Sequence, residues 1–390
     1  MVETVKIKRG DVMSQSFFAL KILLFLACLN ASAVSLVHVI GSVAIYLSIL
    51  LTAFTIIFCS KNIVLSRRHL ILTLYAVVCL IVGLFTSISL SMISQILLIA
   101  WISVYSNYLG GKVILKGVFQ ILSALLLFCF IDAIIFRVSG SALLFGNPNR
   151  IGIIAFLYVA AEVLFKSRAR IFHVVCGLAV ILLSGARTPL LILFLGIILY
   201  AVLNKSKKVR TAKIFFVLLL AAGALFIYFY IHAQEYEYMV ELNKTVFNLT
   251  GKNLFSGRQV LWKSIFENYD YDKILFGYGL NFDISNLTGK NISSHNQFIQ
   301  VLVQQGVFGL VLWVAFLFAI FVNSFKKGNK KACTFVLMII IYNLFEVFLL
   351  QNHFALGLIV WLILFADGRC AKTARSQLIS VYPTTQGACI

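Results

Sequence analysis

Charged side chains are scarce in this chain, and acidic ones are the scarcest. Only 12% of its 390 residues are Asp, Glu, Lys or Arg, whereas soluble domains carry about 25%. Apolar residues account for 61% of the chain, in runs close to the roughly 20 residues that cross a bilayer as a helix. This composition excludes an ordinary soluble domain and predicts an all-α polytopic membrane protein.

Several chemical motifs are also missing from the sequence. It has no phosphate-binding glycine loop, nucleophile elbow or Cys-x-x-Cys pair, and we interpret no pair of acidic residues as a site for a divalent metal, so we expect no cofactor and no metal. The eight cysteines fall mostly within apolar runs, and none lies in the long polar segment. We therefore interpret them as buried thiols rather than a disulfide framework.

The apolar runs predict a single integral membrane domain over residues 1–390, with about twelve transmembrane helices. The predicted spans are residues 17–37, 40–58, 70–85, 88–105, 113–136, 151–165, 171–183, 189–203, 214–231, 298–322, 332–350 and 354–365.

Basic residues concentrate in alternate loops, including residues 204–213 and 323–331. By the positive-inside rule these loops are cytoplasmic, and so are both termini. The formal net charge of +20 is then a topology signal that anionic membrane lipids reinforce. We expect membrane lipids as partners and no nucleic acid.

One outer segment is far longer than the others, residues 233–296 between the ninth and tenth spans. It holds seven of the 13 acidic residues, and its middle, residues 259–268, has apolar side chains at helical spacing. A polar segment of this length in a compact membrane protein is usually functional.

Three cations in outer segments are candidate site residues. Arg187 lies in a tight hairpin between two spans, and Arg258 opens the short loop helix. Their guanidinium groups match phosphate oxygens in pairs. The ordinary alternatives are an interfacial cation for Arg187 and a solvated loop charge for Arg258.

His295 is the third candidate, at the head of the tenth span. Ser294 and Gln297 have capping-box spacing, which predicts Ser294 as the N-cap and His295 as the first helical residue. The field at a helix start favours anions and a neutral imidazole, so His295 suits a proton acceptor beside a phosphate. The alternative is a histidine without function at a helix end. Glu346, near the outer end of the eleventh span, could line the same cavity.

Three groups of residues resemble motifs of the bacterial O-antigen polymerase and O-antigen ligase superfamily. They are the Ser184-Gly185-x-Arg187-Thr188 hairpin with Gly146-Asn147-Pro148-Asn149 before it, Ser256-Gly257-Arg258…Trp262 followed by Gly277-Tyr278-Gly279, and His295-Asn296…Gly306-x-x-Gly309.

This resemblance implies a fold like that of class C glycosyltransferases. It implies that an undecaprenyl-diphosphate-linked sugar is used, without metal, on the periplasmic face of the bacterial inner membrane. Residues matching Arg187 and Arg258 would contact the diphosphate, and the residue matching His295 would activate or orient the acceptor hydroxyl. Asn149 and Asn296, within the motifs, are further candidates to line the cavity.

The sequence thus predicts a membrane glycosyltransferase, and three activities fit it. The first is a polymerase that joins lipid-linked oligosaccharide repeats into O-antigen or capsular polysaccharide, with a chain-length regulator and a flippase as candidate partners. The second is a ligase that transfers finished polysaccharide to lipid A-core. A protein O-glycosylating transferase is a related alternative. A lipid-sugar transporter or flippase is an alternative of a different class, although we find no matched halves of the kind that many transporters show.

Overall fold

The computed structural model describes most of the chain between residues 9 and 366. The described residues are 9–32, 34–59, 67–86, 90–106, 111–139, 144–145, 147–166, 171–251, 253–290, 292–350 and 354–366. Both predicted cytoplasmic termini and Gly146 of the predicted motif lie outside these residues.

Fifteen α-helices occur within the described residues, and no β-strand does. In chain order they are α1 (Arg9–Cys28), α2 (Ser35–Cys59), α3 (Arg67–Phe85), α4 (Leu90–Tyr105), α5 (Gly111–Ser139), α6 (Pro148–Phe165), α7 (Ile171–Ser184), α8 (Arg187–Lys205), α9 (Val209–Ile231), α10 (Glu237–Thr250), α11 (Arg258–Glu267), α12 (Ser285–Thr288), α13 (Gln297–Lys326), α14 (Lys330–Tyr342) and α15 (Phe354–Phe365).

This architecture confirms the prediction of an all-α polytopic membrane protein. In the described part of the chain, six helices are long and apolar enough to cross a membrane, and five shorter apolar helices accompany them. The helices α6, α14 and α15 are buried along most of their length, and they form the centre of the bundle. By contrast, α9 exposes most of its apolar side chains, as a helix that faces lipid does.

Two predicted spans differ from the observed helices. The first, residues 17–37, is interrupted after Cys28 by a 3-10 turn, Leu29–Ala31. There the Asn30 amide donates to Ser42 Oγ at 2.7 Å, and the lack of a side chain at Gly41 allows the backbone of Asn30 to approach.

The eleventh span, predicted over residues 332–350, ends early. Helix α14 stops at Tyr342, and residues 343–350 continue as a non-helical segment. The segment is held by α13, because Gln297 N donates to Asn343 O at 2.8 Å and Leu350 N donates to Gln297 Oε1 at 3.3 Å. Apolar periodicity alone did not reveal this end, since the residues after it are also mostly apolar.

The bundle has two distinct ends. At one, which we call the basic end, Lys330 Nζ donates to Ser206 O at 3.0 Å and so joins the α8–α9 and α13–α14 connections. At the other, which we call the loop end, residues 232–296 connect α9 to α13. The starts of α6, α8 and α13 and the segment after α14 lie at the loop end.

The long segment at the loop end is more ordered than the sequence indicated. It contains α10, which the sequence analysis missed, and α11, which lies within one residue of the predicted 259–268. Trp262 of α11 is fully buried, and its indole Nε1 donates to Ser294 O at 2.7 Å. Burial of Leu261, Trp262 and Ile265 against Ile299 of α13 forms a small second core.

Helix α13 is broken at Gly306, whose φ of 66° and ψ of −168° are not helical. The backbone of residues 274–279 enters this break. Tyr278 N donates to Val303 O at 2.9 Å, and Val307 N donates to Ile274 O at 2.8 Å. These bonds satisfy peptide groups that the break removes from the helix, as a membrane-embedded backbone requires.

We expect Gly306→Ala to destabilise the protein more than Gly328→Ala. Both glycines have positive φ, but a Cβ at Gly306 would lie 2.3 Å from the Leu275 carbonyl, whereas nothing is within 4 Å at Gly328. The backbone conformation alone costs about 1–3 kcal/mol, and overpacking adds about 1–3 kcal/mol. Thermal unfolding in detergent measures the difference. Equal melting temperatures for the two variants would show that the loop does not dock tightly in the break.

Candidate active site

A buried carboxylate at the loop end holds three of the predicted site residues. Glu346 is 4% exposed. Its Oε1 accepts from Asn149 Nδ2 at 2.9 Å and from Arg258 Nη2 at 2.9 Å, while its Oε2 lies 3.2 Å from His295 Nδ1. Residues nearly 200 positions apart in the chain thus meet at one side chain.

Asn149 reaches Glu346 from the first turn of α6. Asn147 is the N-cap, with its side-chain oxygen accepting from Asn149 N at 2.8 Å, and Pro148 occupies the first turn, where its missing N–H is harmless. Just before this turn, the Asp132 carboxylate accepts from the backbone N–H groups of Leu144 and Phe145 at 2.9 and 2.8 Å. These bonds fix where α6 begins.

Arg258 reaches Glu346 from the first residue of α11. The preceding Ser256 and Gly257 both have positive φ, 52° and 76°, so the chain turns sharply into the helix. Gly257 is the N-cap. Tyr230 of α9 supports the turn, because its hydroxyl donates to Phe255 O at 2.5 Å. The guanidinium group is half-buried and lies 6.0 Å from the centroid of the Phe345 ring.

His295 lies before α13 and not within it, which corrects the predicted cap. The N-cap is Asn296, whose side chain accepts from Phe298 N and Ile299 N. Ser294 donates instead to Asn296 O at 2.8 Å. His295 has a φ of 50°, a conformation uncommon for residues other than glycine and often found at functional sites. The imidazole is half-buried.

Asn296 is fully buried, and both ends of its amide are used in hydrogen bonds. Besides the cap, its Nδ2 donates to Leu344 O at 3.1 Å, two residues before Glu346. It therefore joins the start of α13 to the segment that carries Glu346.

Arg187 is the first residue of α8 and begins at the same end of the bundle. Its neighbours Ala186 and Pro189 pack so closely on Gly152 of α6 that a Cβ there would lie 2.6 Å from Ala186 Cβ. Gly152 is one helical turn from Asn149. The Arg187 side chain itself is exposed.

Arg150 is a site cation that the sequence analysis missed. It follows Asn149, is half-buried, and interacts electrostatically with Glu346. Its Nη1 donates to Phe145 O at 3.1 Å. The sequence did contain a signal for Arg150, because this residue extends the Asn147-Pro148-Asn149 motif with a cation at an outer helix end. Arg150 and Arg258 therefore place two guanidinium groups near Glu346, which favours an anionic ligand.

An apolar groove of about 470 Å³ lies between α8, α9, α13 and α14, and two of its lining residues are close in the chain to residues of the cluster. Phe298 of the groove lies two residues after Asn296, and Leu344 lies two residues before Glu346. Other lining residues are Phe226, Ile227, Leu302 and Leu310. The charged cluster and the groove together can hold a ligand with an anionic head and an apolar tail.

Comparison with known proteins agrees with the sequence motifs. A membrane-embedded enzyme related to glycosyltransferases is the class of protein indicated. Residues 172–314 match the family described as O-antigen ligase, and they include Arg187, Arg258 and His295. This match over residues 172–314 confirms the predicted resemblance to the O-antigen polymerase and ligase superfamily. No curated protein matches the chain. Asn149, Arg150 and Glu346 lie outside the matched segment; the sequence analysis named Asn149 and Glu346, and the structure adds Arg150.

We expect a strong energetic coupling between Arg258 and Glu346. Removal of one partner leaves the other charge buried, so a double-mutant cycle with Arg258→Ala and Glu346→Ala should give about 2 kcal/mol. The matched control is the exposed pair of Lys263 and Glu235, 3.0 Å apart, where solvent screens the charges and the coupling should be smaller. Unfolding in detergent measures both cycles. An equal coupling in the two pairs would contradict the burial argument.

Proposed function

We propose that this protein is a polymerase that joins undecaprenyl-diphosphate-linked oligosaccharide repeats into O-antigen or capsular polysaccharide. The observation that carries the proposal is the hydrogen-bonded group of Glu346, Arg258 and His295 beside an apolar groove. The family match supports the coarser function of an O-antigen ligase or polymerase.

The proposed donor lipid has an anionic head that fits the charged cluster and an apolar tail that fits the groove. Its diphosphate would be held by Arg258 and Arg187, with Arg150 close by, because guanidinium groups bind phosphate oxygens in pairs. Its polyprenyl tail would lie in the groove between α9 and α13, whose lining is apolar. In a site partly shielded from water these charges act strongly on the leaving diphosphate.

His295 is suited to act on the acceptor. A carboxylate can only accept hydrogen bonds, so the contact with Glu346 assigns the proton to Nδ1 and leaves Nε2 as the basic nitrogen. Glu346 would also stabilise the imidazolium that forms when Nε2 takes a proton. This is the arrangement of a general base with an orienting carboxylate.

The reaction then balances without a further reactant. The acceptor hydroxyl oxygen forms a bond with the anomeric carbon of the donor, and its proton passes to His295 Nε2. The bond between that carbon and the diphosphate oxygen breaks, and the electron pair leaves with the lipid diphosphate. The donor itself supplies the free energy, so no nucleotide is consumed.

The distribution of charge supports the sidedness of the proposal. Lys205, Lys208 and Lys326 lie at the basic end, opposite the site, and the positive-inside rule places that end in the cytoplasm. The site then faces the periplasm of the inner membrane. A flippase that delivers the donor and a chain-length regulator are the expected partners.

A ligase reaction is the second candidate, because the match to a family described as O-antigen ligase does not distinguish the two reactions. The two reactions use the same donor chemistry and differ in the acceptor, which is a second lipid-linked glycan for a polymerase and lipid A-core for a ligase.

We expect His295→Ala and Arg258→Ala to abolish long-chain polysaccharide while the protein still inserts in the membrane. Loss of a general base costs about 10²–10⁴-fold in rate. Arg187→Lys should reduce chain formation because one point charge replaces a planar fork. Polysaccharide ladders on gels measure the product, and membrane fractions control for expression. Normal ladders from the His295 and Arg258 variants would refute the assigned site.

Deletion of the gene distinguishes the two reactions. For a polymerase we expect single repeats attached to the core, because ligation continues without polymerisation. For a ligase we expect lipid-linked polymer that never reaches the core. A gel of surface polysaccharide together with analysis of the lipid-linked pool measures both. Unchanged polysaccharide would contradict the proposal and favour a transport role.

A further inference from the structure

Helix α10 is strongly amphipathic and is left largely uncovered. Tyr238, Leu242, Val246 and Leu249 follow at intervals of four, four and three residues, which places them on one face. Tyr238 is 66% exposed, Leu242 46% and Leu249 79%. The polar side chains of Glu237, Glu241, Lys244 and Asn248 lie together on another face of the helix.

The position of α10 indicates what covers this face. Helix α9 ends at Ile231 and α10 begins at Glu237, so α10 starts within about 20 Å of the point where α9 leaves the bilayer. The last turns of α9 expose Leu225, Tyr228 and Phe229 by more than half, as lipid-facing residues do. Helix α10 thus follows closely in the chain on a helix end that faces lipid, and tyrosines favour the membrane interface.

Two further facts favour lipid over other occupants. At 14 residues, α10 is too short to span the hydrocarbon core but has the pattern of a helix that lies in the interface plane. Its side chains carry one more acid than base, so attraction to anionic lipid headgroups does not drive the contact. Insertion of the apolar stripe into the membrane interface drives the contact instead.

The helix is also connected to the candidate site. In the middle of α10, Asn243 Oδ1 accepts from the backbone N–H of Leu254 at 2.7 Å, and Leu254 lies three residues before Gly257, in the sharp turn that presents Arg258. At its other end, Glu235 in the preceding turn pairs with Lys263 of α11 at 3.0 Å. Hydrogen bonds from Lys263 and His232 lower the pKa of the Glu235 carboxyl.

We propose that α10 is an in-plane helix that docks in the bilayer interface at the loop end through Tyr238, Leu242, Val246 and Leu249. Through Leu254 and Lys263 it sets the depth of Arg258 relative to the lipid headgroups. The proposed docking is argued only from the pattern, exposure and length of α10. Its effect on catalysis rests on the proposed function, because only a diphosphate at headgroup level needs Arg258 at a defined depth.

The test measures depth without substrate. Leu249→Cys and, as the matched control on the polar face, Asn248→Cys are made in a chain whose native cysteines are replaced by alanine. Each is labelled with an environment-sensitive fluorophore in nanodiscs that contain zwitterionic lipid and a spin label high on the acyl chain. We expect quenching several-fold stronger at position 249 than at position 248.

Equal quenching at the two positions would overturn the docking. So would a blue-shifted but unquenched label at position 249, which would mean that protein, such as a second copy of the chain, covers the stripe. Replacement of the zwitterionic lipid by anionic lipid should change the quenching at position 249 little. Quenching that requires anionic lipid would contradict insertion driven by the apolar stripe.

A second pair of variants tests the coupling to Arg258. Leu249→Glu places a charge on the stripe, whereas Asn248→Glu places the same charge on the polar face next to it. We expect polysaccharide formation to fall several-fold in the first variant and to stay unchanged in the second. Full activity in Leu249→Glu, together with normal depth-dependent quenching in the parent, would refute the coupling and leave the proposed function intact.

Discussion

The buried carboxylate of Glu346 is the constraint on which the loop end depends. A carboxylate removed from water is costly unless charges and hydrogen bonds compensate it, and here Arg258, Asn149 and His295 supply them. Three separate parts of the chain must therefore come together for the protein to bury this group. The same contacts give His295 a defined orientation, so stability and the proposed chemistry arise from one arrangement.

The backbone obeys a similar rule at the break in α13. Membrane-embedded peptide groups need partners, and the break at Gly306 exposes several. The segment with Gly277 and Tyr278 supplies them, which explains why glycines occur at both places where the two backbones meet. The break also lets the start of α13 hold Trp262 and the segment that carries Glu346.

The sequence predicted the residues of the site better than the contacts between them. Arg258 and His295 could be selected because each was predicted at the start of a helix in an outer segment. Their common partner was harder to identify, because Glu346 was placed in a helix that in fact ends at Tyr342. Local capping signals pointed to Ser294, but the buried contact of Asn296 with Leu344 decided which residue starts α13.

Composition and apolar periodicity determined that this is an all-helical membrane protein, because lipid selects for long apolar helices whatever their neighbours are. The locations of the helices followed for the same reason. Only the tertiary structure decided that α13 is broken, that α14 ends early, and that Asn149, Arg258 and His295 share one carboxylate. Those features depend on hydrogen bonds between residues far apart in the chain, which no local pattern records.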